Sequence, residues 1–241
     1  MAIHPDPVDS VHAADLHPAA ETATSATSAS VAFASGAKYE LGSLIALGAE
    51  RSFRRAALIL NEGETGDAMY FLLKGRVRIF GSSPTGKEIT YGTIDAGAYF
   101  GEMALDGGSR SASVEALEPC VCSVVPNAQV LSFMRANSDF AVELLHTLTE
   151  RARKATAAAR DMALLDVYAR LAQTLSRLAV AEGDDGSVRS IKDPITHSEL
   201  AAFVGASREM VSKLMKDLER GGYIQVDNRY IKLLKKLPAR W

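Results

Sequence analysis

Short apolar runs alternate with turn residues through the middle of the chain. Stretches rich in β-formers at residues 56–60, 69–73, 76–80, 88–94 and 113–125 are separated by Glu62-Gly63-Glu64, Lys74-Gly75, Pro84-Thr85-Gly86 and Ala96-Gly97. Several short strands spaced about 8–12 residues apart predict an all-β barrel or sandwich. From Asn127 the pattern turns helical and stays so past Leu178. Within it Ala141, Leu145, Leu148, Ala152, Ala155, Ala159 and Met162 recur at alternating spacings of four and three. That is a heptad stripe. It fits either a seam between two copies of the helix or packing onto the β-domain. The small residues at 152, 155 and 159 and the flanking charges Glu150, Arg151, Arg153, Lys154 and Arg160 favour the seam between copies.

The two ends carry different patterns. Residues 1–36, rich in Ala, Ser, Thr and Pro, show no apolar period, and such a composition predicts a tail that does not repay its ordering entropy. Residues 183–190 read as a loop. After it, Thr196-His197-Ser198-Glu199 is a capping box, with Thr196 as cap and Glu199 reaching back. A short helix through Phe203, a turn at Gly205 and a second helix from Ser207 to about Arg220 make a helix-turn-helix. Residues 223–225 and 230–234, joined around Asp227-Asn228, read as a hairpin. Helix-turn-helix plus hairpin makes a winged helix.

Composition adds limits. The 241 residues are 47% hydrophobic, ordinary for a globular chain with room for two cores. No apolar stretch is long enough to span a bilayer. No basic segment followed by an apolar core stands at the N-terminus, so export by a standard signal is not expected and a cytoplasmic location is. Cys120 and Cys122, the only cysteines, point to opposite faces of a strand and are not expected to pair. Two thiols cannot hold a four-thiolate cluster within one chain. The near-neutral total hides an asymmetry. Residues 191–241 hold 10 basic and 6 acidic side chains, and the remainder 17 and 23. A basic end beside an acidic body points toward a nucleic-acid contact.

Two constellations carry chemistry. The first is Phe100-Gly101-Glu102-Met103-Ala104-Leu105, followed by Arg110-Ser111-Ala112. A glycine-containing turn can aim successive N–H groups at an anion. Arg110 offers a guanidinium fork for phosphate oxygens and Ser111 a hydroxyl. Glu102 accepts, which suits a ribose hydroxyl. A phosphate and a ribose side by side describe a nucleotide. The second is Ser207-Arg208-Glu209-Met210-Val211-Ser212-Lys213. Arg208, Glu209 and Lys213 lie near the start of the second helix of the pair, where base edges are read. Arginine to guanine and glutamate to a cytosine amine are the natural pairings. Ser207, Lys192, Lys216 and Arg229 are candidate phosphate contacts, and Thr196 is a further candidate DNA-binding residue.

Together, Gly63-Glu64, Tyr70, Gly75, Gly86-Lys87-Glu88, Gly97, Phe100-Gly101-Glu102, Arg110-Ser111-Ala112, Leu165-Asp166-Val167 and the helix-turn-helix resemble the CRP/FNR regulators. Within that family the cyclic-AMP-responsive branch is the nearest match. The resemblance implies an α+β architecture. A β-roll of the double-stranded jelly-roll type at 37–126 binds a cyclic nucleotide. A long dimerisation helix follows at 127–165, and a winged helix-turn-helix at 166–241. It further implies Gly101, Glu102 and Met103 at the ribose, and Arg110, Ser111 and Ala112 at the cyclic phosphate. Thr156 stands at the base, and Asp166 at a hinge. The partners implied are cyclic AMP, a second copy of the chain, a palindromic double-stranded promoter and RNA polymerase, with no membrane and no enzymatic activity. Two departures bear on the base. Of the family's Thr-Ser pair on the central helix, Ala155 and Thr156 stand here, and Gly92 replaces a serine of the roll. A cyclic di-GMP-controlled or nucleotide-independent regulator is the alternative. A haem sensor would rest on His146. A metal-dependent β-barrel enzyme needs clustered histidines, and residues 37–125 contain none.

Overall fold

The computed structural model describes residues 41–182 and 188–238. The expected tail at 1–36 and residues 183–187 of the expected loop lie outside the described residues, and the rest of that loop, Val188–Ser190, is a strand. A short helix α1 (Leu41–Ala46) precedes eight strands: β1 (Ala49–Phe53), β2 (Leu58–Leu60), β3 (Ala68–Lys74), β4 (Arg76–Ser82), β5 (Glu88–Asp95), β6 (Ala98–Phe100), β7 (Ser113–Ala116) and β8 (Cys120–Pro126). They form two antiparallel four-stranded sheets in the orders β1-β8-β3-β6 and β2-β7-β4-β5. This is the expected β-roll.

Strands β3 and β8 are buried on both faces, so their sequences run apolar without alternating. Tyr70, Leu72, Cys120 and Cys122 point between the sheets, beside Val77, Phe100 and Val114; the two cysteines, expected on opposite faces, share one because residues two apart on a strand point the same way. Met69, Phe71 and Val125 point the other way, onto Leu44, Val130, Phe140 and Leu144 of the flanking helices. The run at 113–125, expected as one strand, is two. They lie in different sheets because the chain turns at Glu118-Pro119 between β7 and β8. Strands β1 and β6 and helix α1 are additions to the sequence reading. Ala56, expected in a strand, takes the left-handed conformation (φ 63°) and sits in the turn before β2.

The helical stretch is also divided. Helix α2 (Asn127–Ala136) ends at Asn137, whose side chain donates to Phe133 O at 3.0 Å. Helix α3 (Ser138–Leu164) then runs 27 residues, about 40 Å at 1.5 Å per residue. Only Phe140 and Leu144 of α3 are buried. Val142, Leu145, Met162 and Leu164 are exposed by 52%, 63%, 41% and 74%. The heptad stripe is therefore not used against the chain's own β-roll beyond Leu148, which packs at the helix cluster.

Leu165 and Asp166 are extended and break the helix. Asp166 Oδ1 then caps α4 (Val167–Leu178) by accepting from Ala169 N at 2.7 Å. Strands β9 (Val180–Glu182) and β10 (Val188–Ser190) pair with each other, and β10 pairs with β12. Helices α5 (His197–Val204) and α6 (Arg208–Arg220) precede the hairpin β11 (Ile224–Asp227) and β12 (Tyr230–Leu233). Leu171, Leu175, Leu200, Val211, Leu218 and Ile231 fill this winged-helix core. The hairpin turn sits one residue later than expected, with both Asn228 and Arg229 at positive φ.

Burial, reinforced by the neighbouring Cys120, pushes the Cys122 thiol up to about 12 from an ordinary 9.0. The folded state thus keeps a proton that the unfolded chain loses above pH 9, so stability falls as pH climbs from 9 toward 12. Native protein at pH 8 is expected to resist thiol alkylation at both buried cysteines, and both should react at once in denaturant. Mass spectrometry of iodoacetamide-treated protein checks this, and rapid native labelling would contradict it.

Candidate effector pocket and nucleic-acid interface

Strand β6 ends at Phe100, and Gly101 turns the chain into one turn of 3-10 helix, Glu102–Ala104. Gly101 has φ 83°, and a Cβ there would come within 2.8 Å of Arg110 Nη1. Glycine is needed for both the conformation and the close approach. Arg110 is 5% exposed. Its Nη1 donates to Gly101 O at 2.9 Å and its Nη2 to Ala68 O at 2.8 Å. Among the described residues the carboxylate within 4 Å is Asp67, 3.9 Å away on a side chain 92% exposed. The guanidinium thus has neutral carbonyls and one distant, hydrated anion. A buried cation so placed favours an added anion strongly. Burial pushes the Tyr70 phenol up, and the charge of Arg110 beside its ring pulls it partly back.

Glu102 is 2% exposed. Its Oε1 accepts from Arg151 Nη1 of α3 at 2.5 Å, and Arg151 Nη2 donates to Tyr99 O at 3.0 Å. Its Oε2 is buried with no hydrogen-bond partner among the described residues. A buried carboxylate oxygen without a donor is costly, and a ligand hydroxyl is the natural remedy. Ser111 Oγ donates to the Met103 thioether at 3.2 Å, a weak acceptor that an anion readily displaces. Leu60, Ile79, Ala112 and Arg151 complete the lining of a cavity of about 50 Å³. The cavity is small beside the roughly 300 Å³ or more of small-ligand sites. The groups present fit a phosphate at Arg110 and Ser111 and a sugar hydroxyl at Glu102.

Gly101, Glu102, Met103, Arg110, Ser111 and Ala112 are thus brought together, and Thr156 is not. Thr156 is exposed and donates to Ala152 O of its own helix at 3.0 Å. It lies more than one turn beyond Arg151, so within one chain it does not line the cavity. Arg151, which does, read in the sequence as a flanking charge. A charge at helical position 151 beside a buried acid of another element carries no local signal.

The second site is a surface. Thr196 Oγ1 accepts from Glu199 N at 3.1 Å and Thr196 N donates to Glu199 Oε2 at 2.7 Å, completing the capping box, and the Thr196 hydroxyl donates to the same oxygen at 2.7 Å. Gly205 (φ 68°) ends α5, and Ser207 caps α6 by accepting from Met210 N at 3.2 Å. Arg208, Glu209, Lys213 and Arg229 are all exposed. The first three stand on the first two turns of α6. His197 Nδ1 and Ser212 Oγ, 2.9 Å apart, tie α5 to α6, a link the sequence did not announce. Arg170 bridges Val204 O and Leu165 O, joining α4 to the helix pair and to the break above it.

Residues 50–137 match the cyclic nucleotide-binding domain, and residues 169–237 the Crp-like helix-turn-helix domain. The chain is 30% identical over 194 residues to the cAMP-activated global transcriptional regulator Vfr of Pseudomonas aeruginosa, covering 78% of this chain and 91% of that protein. The chain belongs to the CRP/FNR family of transcription regulators. It is 31% identical to the cAMP-activated regulator CRP of Pasteurella multocida, over 67% of this chain and 78% of that one. A CRP/FNR-family transcriptional regulator of Thermus thermophilus superposes with a TM-score of 0.61 at 28% identity, covering 80% and 95% of the two chains. The cyclic di-GMP-responsive regulator CLP of Xanthomonas campestris shares the fold, with a TM-score of 0.69 at 22% identity over 80% and 97%. This CRP/FNR chain is accordingly a DNA-binding transcription regulator with a cyclic nucleotide-binding domain. No helix among the described residues is long and apolar enough to cross a membrane.

Removing Arg151 strands the buried Glu102 carboxylate. The change Arg151→Ala is expected to cost about 2 kcal/mol, below the usual cost of breaking a buried pair because Arg151 is about one-third exposed. Combining it with Glu102→Gln should recover much of that loss. Urea titrations of the four proteins of this cycle measure the coupling, and strict additivity would contradict it.

Proposed function

We propose that this CRP/FNR regulator is a homodimer that takes cyclic AMP into its β-roll and reads a palindromic promoter through paired recognition helices. The observation that carries the reading is the side-by-side placement of Arg110, buried without a close counter-anion, and Glu102, buried with one oxygen unpartnered. A cyclic phosphate answers the first and a ribose hydroxyl the second. The names of Vfr and of the Pasteurella regulator, both cAMP-activated, support cyclic AMP as the nucleotide. The exposed stripe from Leu145 to Met162 supports the dimer, with small residues that let two helices approach closely. Thr156 meets the ligand only when that second helix is in place.

At the DNA, Arg208 pairs with guanine and Glu209 with a cytosine amine. Lys213 gives a less directional contact. Thr196, Ser207 and Arg229 face phosphates. The Ser207 hydroxyl accepts within its own cap and keeps its proton to donate, whereas that of Thr196 is already given to Glu199. Half-sites about 34 Å apart follow from two-fold symmetry. Binding shifts the population of DNA-competent dimers through Arg151, α3 and the break at Asp166, by as much as the ligand prefers that state. RNA polymerase is the downstream partner, and the cytoplasm the place of action.

Cyclic di-GMP control is the second reading, favoured by one observation. Gly92 pairs with the pocket residue Ile79, and no atom lies within 4 Å of where its Cβ would stand. With Ala155 also lacking a hydroxyl, the base end offers room and few donors. Calorimetry with cyclic AMP, cyclic GMP and cyclic di-GMP decides. Cyclic AMP is expected to bind, and Arg110→Leu to weaken it at least about a hundredfold, the range for loss of a charged hydrogen-bond partner. Binding of cyclic di-GMP alone would overturn the first reading.

Base reading is tested separately. In gel shifts, Arg208→Ala and Glu209→Ala are each expected to cost about 1–3 kcal/mol of specific DNA affinity. Non-specific binding and nucleotide binding should stay intact.

A further inference from the structure

Asn127 opens α2 and sits behind the pocket rather than in it. Its Nδ2 donates to Gly66 O at 3.1 Å and to Ala104 O at 2.9 Å, while its backbone N donates to Asp67 O at 2.9 Å. Two carbonyls in front of one end of the amide settle its orientation, since neither can donate. Its Oδ1 is buried without a partner, so the side chain is held entirely through its donors.

Each carbonyl belongs to a wall of the Arg110 site. At Gly66 a Cβ would lie 2.1 Å from Ala104 Cβ and 3.0 Å from Arg110 Cζ. The loop before β3 therefore lies directly on the guanidinium. Ala104 is the last residue of the turn that carries Glu102. Arg110 is held to the same loop through its backbone, donating to Glu64 O at 2.8 Å and accepting from Gly63 N at 2.9 Å. One amide thus clamps both walls of the anion site and fixes them to the first turn of α2, which leads into α3.

From these contacts we infer that Asn127 is a positioning residue for the effector site, setting Arg110 and the Glu102 turn at the spacing the ligand needs and relaying their movement into α2. The inference rests on the cyclic-nucleotide reading above. Asn127 touches no ligand atom itself. It acts through the Gly66 and Ala104 carbonyls, which without it turn toward solvent and let the turn drift from the guanidinium.

The test uses the full chain and calorimetry with cyclic AMP, cyclic GMP and cyclic di-GMP. Asn127→Ala is expected to weaken the bound nucleotide about tenfold, the worth of one to two hydrogen bonds, with the ligand-free melting temperature nearly unchanged. Asn127→Asp, which sets carboxylate oxygens against two carbonyls, should weaken it further. The decisive readout is a double-mutant cycle with Arg110→Lys. If Asn127 works by placing Arg110, the alanine change adds less than about twofold in the lysine background. A purely structural role gives the same loss in both. In wild-type protein that binds nucleotide, undiminished affinity in both Asn127 variants, or full additivity with Arg110→Lys, overturns the positioning role and leaves the proposed function standing. Wild-type protein that binds none of the three nucleotides overturns both.

Discussion

A guanidinium held inside an apolar roll is the constraint from which the rest follows. Arg110 is surrounded by Tyr70, Ala68, Gly101 and the loop at residues 63–67, and its hydrogen bonds end on neutral carbonyls. Carbonyl dipoles lower the cost of burying the charge without cancelling it. Keeping those carbonyls in place dictates local sequence. Glycine is required at 101, where a side chain would strike Nη1, and at 66, where one would strike Ala104 and the guanidinium. The turn after β6 and the loop before β3 are therefore shaped around one cation. The protein's own hydrogen bonds hold these groups in place.

The second buried charge connects that site to the helices. Glu102 and Arg151 come from elements 49 residues apart, and their pair is the polar link between the β-roll turn and the long helix. A hydroxyl donating to the free Oε2 would draw negative charge away from Arg151 and loosen or re-aim it. In the proposed mechanism this is how occupancy reaches α3. Beyond Arg151 the helix has no buried residue of its own up to its end, where Met162 lies against Gly205 of the helix pair. At Leu165-Asp166 the helix stops and the next one is capped afresh. Arg170 spans the break to Val204 at the turn of the helix pair. The path from pocket to recognition helix is thus a series of rigid pieces with named joints.

Much of this was legible in the sequence because local chemistry writes it there. The capping box at Thr196, the Ser207 and Asp166 caps, the turn glycines and the Gly101-Glu102 to Arg110 pattern all act within a few residues of themselves. What escaped depends on residues far apart in sequence. Three-residue strands such as β6 are too short to show a period. The break at Asn137 follows from a side-chain bond to Phe133 O that interrupts an otherwise continuous helical pattern. Arg151 read as a charge flanking the helix seam until the fold set it against Glu102. Asn127 looked like an ordinary helix start until it met two carbonyls from loops 23 and 61 residues away. Thr156, carried over by resemblance, does not reach the cavity of its own chain.

The same geometry explains where discrimination resides. The anion and sugar end is made of buried, fixed groups: a guanidinium, a half-satisfied carboxylate and backbone held by glycines. A ligand lacking the phosphate or the hydroxyl would leave those groups desolvated and unpaired, which is a large penalty. In the proposed reading the base end is made of Ile79, open space over Gly92 and the exposed small residues of α3. An apolar, roomy surface rejects a wrong base only weakly. In the proposed reading, selectivity for a phosphate beside a sugar hydroxyl then lies within one chain. Selectivity among bases must come from whatever closes over α3, and in the proposed dimer that is the facing helix with its own Thr156.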